Sequence, residues 1–366
     1  MVAPPRISLP PVVQLEPGRI IDERYRIHSL IGEGGVGSVH LADDLTERRW
    51  VAIKVLNEDV ASNVGLRERF ERETRALFAL AHPNIVAVHD FGVVEKAPYL
   101  VMEVLEGQTL ESLLEEGALA PARALDIVSQ LLNGLAFAHG QGLIHRDLKT
   151  ANVFMVRTPD GRDYVKLLDF GLVKFLDKTR WGAETTLTAV GEVFGTPAYM
   201  SPEQAMGRRA DARSDVYSVG VVLFEMLTGR WPFMVEDRAA MLRAHIATPV
   251  PWLLEMRPDL PMATELDTIL QRALAKESAQ RFADAREMAA AVAALDPRAL
   301  AGRAASQQEP AAAAKPPGAS PVAASGAAVE QARQGGLSGV AWIAIAVVAF
   351  AALACMLAVA IYLIAG

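Results

Sequence analysis

Between two apolar ends that read as strand, residues 143–155 (LIHRDLKTANVFM) carry His145, Arg146, Asp147, Lys149, Thr150 and Asn152. Charge set beside buried strand loses hydration and adds nothing to packing, so a polar block there points to chemistry. Asp147 is a carboxylate with no partner in its own loop, available to take a proton. Seventeen residues beyond Asn152, the segment VKLLDFG (165–171) reads as a strand ending in Asp169, Phe170 and Gly171. Asn152 and Asp169 offer hard oxygen ligands, and two or three such oxygens with phosphates and waters suit Mg²⁺. Singly these are polar loop residues; together they are the parts of a phosphoryl-transfer site.

Those groups need elements to hold them. The segment YRIHSLIGEGGVGSVHLA (25–42) places Gly32, Gly34 and Gly37 in a G-x-G-x-x-G pattern shared by dinucleotide sites, hairpins over nucleotides and plain turns. A dinucleotide fold requires a helix directly after the last glycine, whereas Ser38 to Ala42 reads as a second strand with Val39 and Leu41 on one face. The glycines are therefore expected to join two strands, in a hairpin whose backbone N–H groups approach phosphates unobstructed. In WVAIKVL (50–56) both faces are apolar except at Lys54, and lysine is rarely buried without a partner. The following LRERFERETRALFAL runs an apolar stripe through Leu66, Phe70 and Leu77 that passes Glu73 at helical spacing. Lys54 and Glu73 are expected to meet; the alternative is a lysine that snorkels and a glutamate at a helix edge.

Composition bounds the setting. With 366 residues, 51% of them hydrophobic and 22% charged, the chain has room for a two-lobed soluble unit with a sizeable core. The net charge of −7, with no Lys/Arg stripe, argues against nucleic acid as a partner. A single cysteine, Cys355, rules out an internal disulfide and a cysteine metal site. Residues 1–18 read as an extended proline-rich leader and 19–295 as the folded body. Residues 296–339, rich in Ala, Pro, Gly, Ser and Gln, bury too little to offset ordering entropy and read as a disordered linker with a coil span of roughly 35 Å. From Val340 to Ala365 no residue is charged, enough for about 39 Å of helix against a hydrocarbon core of about 30 Å. A transmembrane helix is expected there, the alternative being a buried core helix. Arg298, Arg303, Lys315 and Arg333 precede it, so the positive-inside bias places the body at the cytoplasmic face of the cell membrane, single-pass, with the C-terminus at the far face and no sensor domain beyond.

Taken in order, the glycine-rich hairpin, VAIK, the helix carboxylate, HRDLKTAN, DFG and SPE make residues 25 to about 294 resemble a protein kinase domain, most closely the bacterial serine/threonine kinases of eukaryotic (Hanks) type. The resemblance implies an α+β, two-lobed fold, with an antiparallel sheet and one helix over about 20–103 and a mostly helical lobe over about 107–295. It implies ATP and Mg²⁺, with Mn²⁺ as an alternative ion, and protein substrates. Lys54, held by Glu73, would take the α- and β-phosphates. Asn152 and Asp169 would hold the metal, Asp147 would orient the acceptor hydroxyl, and Lys149 would steady the γ-phosphate. Ile31, Gly32, Gly34, Gly37, Val39 and Ala52 would cover the nucleotide. Met102 matches the gatekeeper, the backbone of Glu103 and Leu105 the adenine-reading hinge, and Glu106 a ribose contact. Leu77, Val88, His145 and Phe170 match the family's apolar spine. Asp215 and the pair Glu203 and Arg281 match structural supports.

Lys149 after HRD-L, and Thr196 in GTPAYMSPE, are similar to kinases whose acceptor is serine or threonine rather than tyrosine. The usual APE reads SPE here, at Ser201, Pro202 and Glu203. Arg146 beside Asp147 is expected to take an anion, with Lys174 completing its pocket, and Thr186 and Thr188 are the candidate phosphosites for self-activation in trans by a transient homodimer. Clustering in a lipid bilayer would favour that step. The competing expectation, a catalytically weak pseudokinase scaffold at the membrane, would normally lack Lys54, Asp147 or Asp169; all three are present.

Overall fold

Alternation of buried and exposed residues makes the first strands. β1 (Ile20–Ile21), β2 (Tyr25–Gly34), β3 (Gly37–Asp44) and β4 (Arg49–Leu56) pair antiparallel, and β6 (Ala97–Glu103) and β5 (Val88–Val94) extend the sheet in the order β1-β2-β3-β4-β6-β5. The structure, a computed structural model, describes residues 15–34, 37–56, 64–78, 80–170, 197–235 and 237–295. Thr186, Thr188, Thr196, Lys174, the side chain of Glu73 and the apolar run at 340–365 lie outside them. Among the described residues no helix is long and apolar enough to cross a membrane.

The glycines do join two strands: Gly34 pairs with Gly37 at the end of the β2–β3 ladder. Gly37 has a steric reason to be glycine, because a Cβ there would lie 1.9 Å from the Val55 carbonyl oxygen on β4. Gly34 has nothing within 4 Å of its own Cβ position. Gly37→Ala is therefore expected to cost about 1–3 kcal/mol through overpacking, read as a lowered urea midpoint, with Gly34→Ala as the control that leaves the midpoint in place.

One face of this sheet packs Ile21, Tyr25, Ile27, Val51, Ile53, Val101 and Leu15 into a core. Leu15, only 3% exposed, thus belongs to the folded lobe although it sits within the stretch read as a leader. Helix α1 (Val64–Phe78) buries Phe70 against Leu56 and Leu100.

After Glu103 the chain leaves the sheet. A short three-stranded sheet of β7 (Gly107–Thr109), β8 (Val153–Arg157) and β9 (Asp163–Leu167) frames the cleft side of a helical lobe. That lobe holds α2 (Leu110–Leu114), α3 (Pro121–Gly140), α4 (Pro202–Ala205), α5 (Ala212–Thr228), α6 (Arg238–Ala247), α7 (Leu253–Met256), α8 (Ala263–Ala273) and α9 (Ala285–Ala293). Helix α5 is buried on nearly every side from Ser214 to Leu227, as an all-round apolar sequence requires. An Asp211–Ser214 capping box starts it and Gly229, at φ 72°, ends it in the left-handed conformation. Being central and rigid, it is the post to which the polar loops are tied.

Candidate active site

The catalytic loop hangs from α5. Asp215, fully buried at the start of that helix, accepts the backbone N–H groups of His145 and Arg146, both at 2.8 Å, and lies 2.9 Å from His139 Nε2. Burial pushes the Asp215 carboxyl up, and these donors with the charge of nearby histidines more than reverse it, holding it below the carboxylate range. Arg146 is held at φ 67°, a left-handed conformation that a long side chain adopts only under constraint. The constraint is visible, since its N–H is bound by Asp215 and its carbonyl accepts from Gln204 Nε2 at 2.8 Å. His145 in turn reaches the next segment: its Nε2 lies 2.8 Å from the Leu168 carbonyl, and its ring is 4.6 Å from that of Phe170.

The loop delivers Asp147, Lys149 and Asn152 to one place. Lys149 Nζ is 3.1 Å from Asp147 Oδ2, and Asn152 Nδ2 donates to the Asp147 carbonyl at 2.7 Å and to its carboxylate at 3.2 Å. With the amide nitrogen of Asn152 spent on Asp147, its Oδ1 is the atom left to ligate. Asp169, at φ 58°, is aimed across the cleft, and its Oδ2 lies 2.5 Å from Lys54 Nζ. Burial pushes the Asp169 carboxyl up; the Lys54 ammonium, aided by His145 and Lys149, outweighs that and keeps it below its ordinary value. Among the described residues, therefore, the partner of Lys54 is Asp169; the expected Glu73 contact falls outside them.

The sheet supplies the ceiling. Directly opposite residues share a face, and the register sets Val39 beside Lys54, and Leu41 beside Ala52, which in turn pairs with Met102. Ala52 is buried, and Ile31 at the hairpin is 38% exposed. Behind Met102 lies an apolar cavity lined by Leu77, Ile85, Val88, Leu100, Asp169 and Phe170, so three residues of the expected spine, Leu77, Val88 and Phe170, meet around one space. Glu106 uses its carbonyl on Arg157 N–H, and Leu105 makes no backbone hydrogen bond among the described residues. Glu203 and Arg281 pair as expected, through two 2.8 Å bonds.

Sequence reasoning missed the side chain of Glu103. Its carboxylate accepts from Ala87 N–H and from Lys166 Nζ, both at 2.7 Å, latching the hinge to the strand that leads to Asp169. The signal was present: Lys166 stands between buried Val165 and Leu167, a lysine in an apolar strand like Lys54. It also missed His139 as a third partner of Asp215, which only the packing of α3 on α5 creates.

Comparison with known proteins agrees with this geometry. The profile of the protein kinase domain matches residues 25–292, and the chain belongs to the protein kinase family. It is 41% identical over 281 residues to the serine/threonine-protein kinase pkn3 of Myxococcus xanthus, covering 76% of this chain and 51% of the relative. It is 42% identical over 276 residues to the serine/threonine-protein kinase PknB of Mycolicibacterium smegmatis, covering 74% and 42%. The chain thus spans about half or less of the length of these curated relatives. The crystal structure of the Mycobacterium tuberculosis PknI kinase domain superposes with a TM-score of 0.59 at 29% identity, covering 76% of this chain and 99% of that one.

Proposed function

We propose that this chain is a serine/threonine protein kinase that transfers the γ-phosphoryl of ATP to protein hydroxyls, and that residues 340–365 tether it to the cytoplasmic face of the cell membrane. The observation that carries the reading is the convergence of Lys54 and Asp169, 115 residues apart, at 2.5 Å, over the loop that presents Asp147, Lys149 and Asn152. In this reading the Lys54 ammonium, paired with Asp169, binds phosphate oxygens, supported by the 2.5 Å contact between them. Asp147 aligns the acceptor hydroxyl and takes its proton as the O–P bond forms, and Lys149, 3.1 Å away, offsets the charge that gathers there. Asn152 Oδ1 and the Asp169 carboxylate are the groups that would hold a divalent cation, magnesium in this reading, which neutralises phosphate charge when bound. An acceptor of serine or threonine is supported by Lys149 and by Thr196 in the segment before Pro197, and by the names of the relatives.

The tether is supported by the charge-free run alone. Expressed in a bacterial host, the full chain is expected in the membrane pellet and the 1–300 fragment in the supernatant; equal distribution would remove the tether from the proposal. With labelled ATP and Mg²⁺, the full chain is expected to label protein serine and threonine, itself included. Replacing Thr186 and Thr188 together by alanine is expected to lower both its phosphate content and its activity. Label confined to tyrosine would refute the acceptor assignment.

A further inference from the structure

The turn that leads into β1 sends the preceding chain back over the sheet. Arg19 N–H donates to the Glu16 carbonyl at 3.1 Å across Pro17 and Gly18, and Gly18 stands at φ 85°. Proline in the second place and a positive-φ glycine in the third make a type II turn. Beyond it Gly18 N–H donates to the Ile27 carbonyl at 2.8 Å, which fixes the turn to the edge of β2. The chain before the turn therefore does not run on outward along that edge. Leu15 is already buried in the core on the sheet's outer face, the one opposite Val39, Ala52 and Lys54.

That face lacks a second layer among the described residues. Across it Ala42 pairs with Val51, His40 with Ile53 and Ser38 with Val55, all of them buried. Every member of the core except Leu15 nevertheless stands on a strand of the sheet itself. A sheet buries an apolar face only against another layer; the inner face has one in α1, through Phe70. Within the outer face His40 is 1% exposed; its Nε2 lies 2.9 Å from Ser38 Oγ, and its Nδ1 has no hydrogen-bond partner among the described residues. Burial holds the imidazole below its ordinary pKa, so at neutral pH it carries a single ring proton.

The sequence just before Leu15 suits such a layer. Residues 7–14 read ISLPPVVQ, without a charge and with Ile7, Leu9, Val12 and Val13 as apolar side chains. Extended at about 3.1 Å per residue they reach about 25 Å, against about 19 Å for the crossing from β2 to β5 at a strand spacing of about 4.8 Å. Pro10 and Pro11 carry no N–H, so the segment offers carbonyls in excess of donors. With Ser38 donating to Nε2, the His40 proton sits on Nδ1 as the matching donor. We propose that residues 7–14 lie across the outer face of the sheet as its second layer, with a carbonyl of that segment accepting from His40. The covered strands carry Val39, Ala52 and Lys54 on their other face, so the same layer stiffens the ceiling of the cleft. The inference needs the fold and not the kinase reading.

The test is amide hydrogen exchange of the full chain in detergent, read by mass spectrometry, beside a chain lacking residues 1–14 and a double variant of the full chain, Val12→Asp with Val13→Asp. In both, the amides of β3 and β4 are expected to exchange about ten- to a hundredfold faster, the scale of uncovering one or two valine side chains, while those of α5 keep their rates. If the shortened chain does not fold, the double variant carries the test alone. His40→Leu is expected to speed exchange in β3 about tenfold in the full chain, the loss of one buried hydrogen bond, and to have no such effect in the shortened chain, where the partner is already gone. Three results overturn the inference. They are unchanged exchange of β3 and β4 in the double variant, an equal effect of His40→Leu in both chains, and protection of β3 and β4 that falls on dilution of the unmodified chain, as a second copy seated on this face would give.

Discussion

Asp147→Asn is expected to lower the rate of phosphoryl transfer by about 100- to 10,000-fold while the protein stays folded. The range is the usual contribution of a positioned general base, and the amide that replaces the carboxylate is neutral and no longer takes a proton at neutral pH. The fold should tolerate it, because the 2.7 Å bond from Asn152 goes to the backbone carbonyl of residue 147, which the substitution keeps. The His145 and Arg146 amides remain on Asp215. Nucleotide binding should survive for the same reason, since Lys54 and Asp169 pair without help from Asp147. The measurement is single-turnover transfer from labelled ATP beside a nucleotide-binding titration. A rate within a few-fold of the unmodified chain would show that the acceptor hydroxyl loses its proton elsewhere, and a parallel loss of nucleotide affinity would show that the substitution had disturbed the site as a whole.

Arg281→Ala carries the largest expected loss of stability. The guanidinium is 0% exposed and every donor is used: two bonds of 2.8 Å to Glu203, others to the carbonyls of Ala275, Arg213 and Lys276. Its face also lies 4.9 Å from the centre of the Tyr217 ring. Truncation leaves Glu203 buried without its cation and three carbonyls without donors, a loss of about 3–5 kcal/mol for breaking such a pair from one side. Arg281→Lys is expected to recover only part of it, because an ammonium cannot reproduce the planar fork. Urea unfolding read by circular dichroism checks both, and a midpoint for Arg281→Ala equal to that of the parent chain would contradict the account.

The same pair fixes a pH dependence. Burial pushes the Glu203 carboxyl up, but Arg281 and the Ser214 hydroxyl pull it down to about 2, below its unfolded value of 4.5. A carboxyl depressed on folding contributes its stability above the unfolded value and loses it as the pH falls toward the folded one. Stability from this pair is therefore expected to decline between pH 4.5 and 2, and that part of the acid transition should be missing in Glu203→Gln.

Much of the site was legible along the chain because its parts break local rules. Lys54 is a cation in an apolar strand, Asp147 and Asn152 interrupt two hydrophobic segments, and three glycines sit where a strand should not need them. Each conflicts with packing, and a residue that conflicts with packing is conspicuous in a linear reading. The hairpin and the strand after Gly37 followed from periodicity and order, and the two-lobed arrangement from the resemblance to protein kinases. What the sequence did not display were groups whose meaning is purely spatial. Lys54 was expected to pair with Glu73, whose side chain lies outside the described residues; the partner seen is Asp169, brought to 2.5 Å by the closure of one lobe on the other. Glu103 looked like a hinge backbone, and Ala87 and Lys166 give its side chain a separate role. Tyr199, Thr150 and Glu225 are ordinary residues until α5 sets them around one hydroxyl. Residue type and local period are written in the chain and announce which chemistry it carries. The distances that couple those groups depend on contacts between residues far apart in sequence, and only the packed lobes decide them.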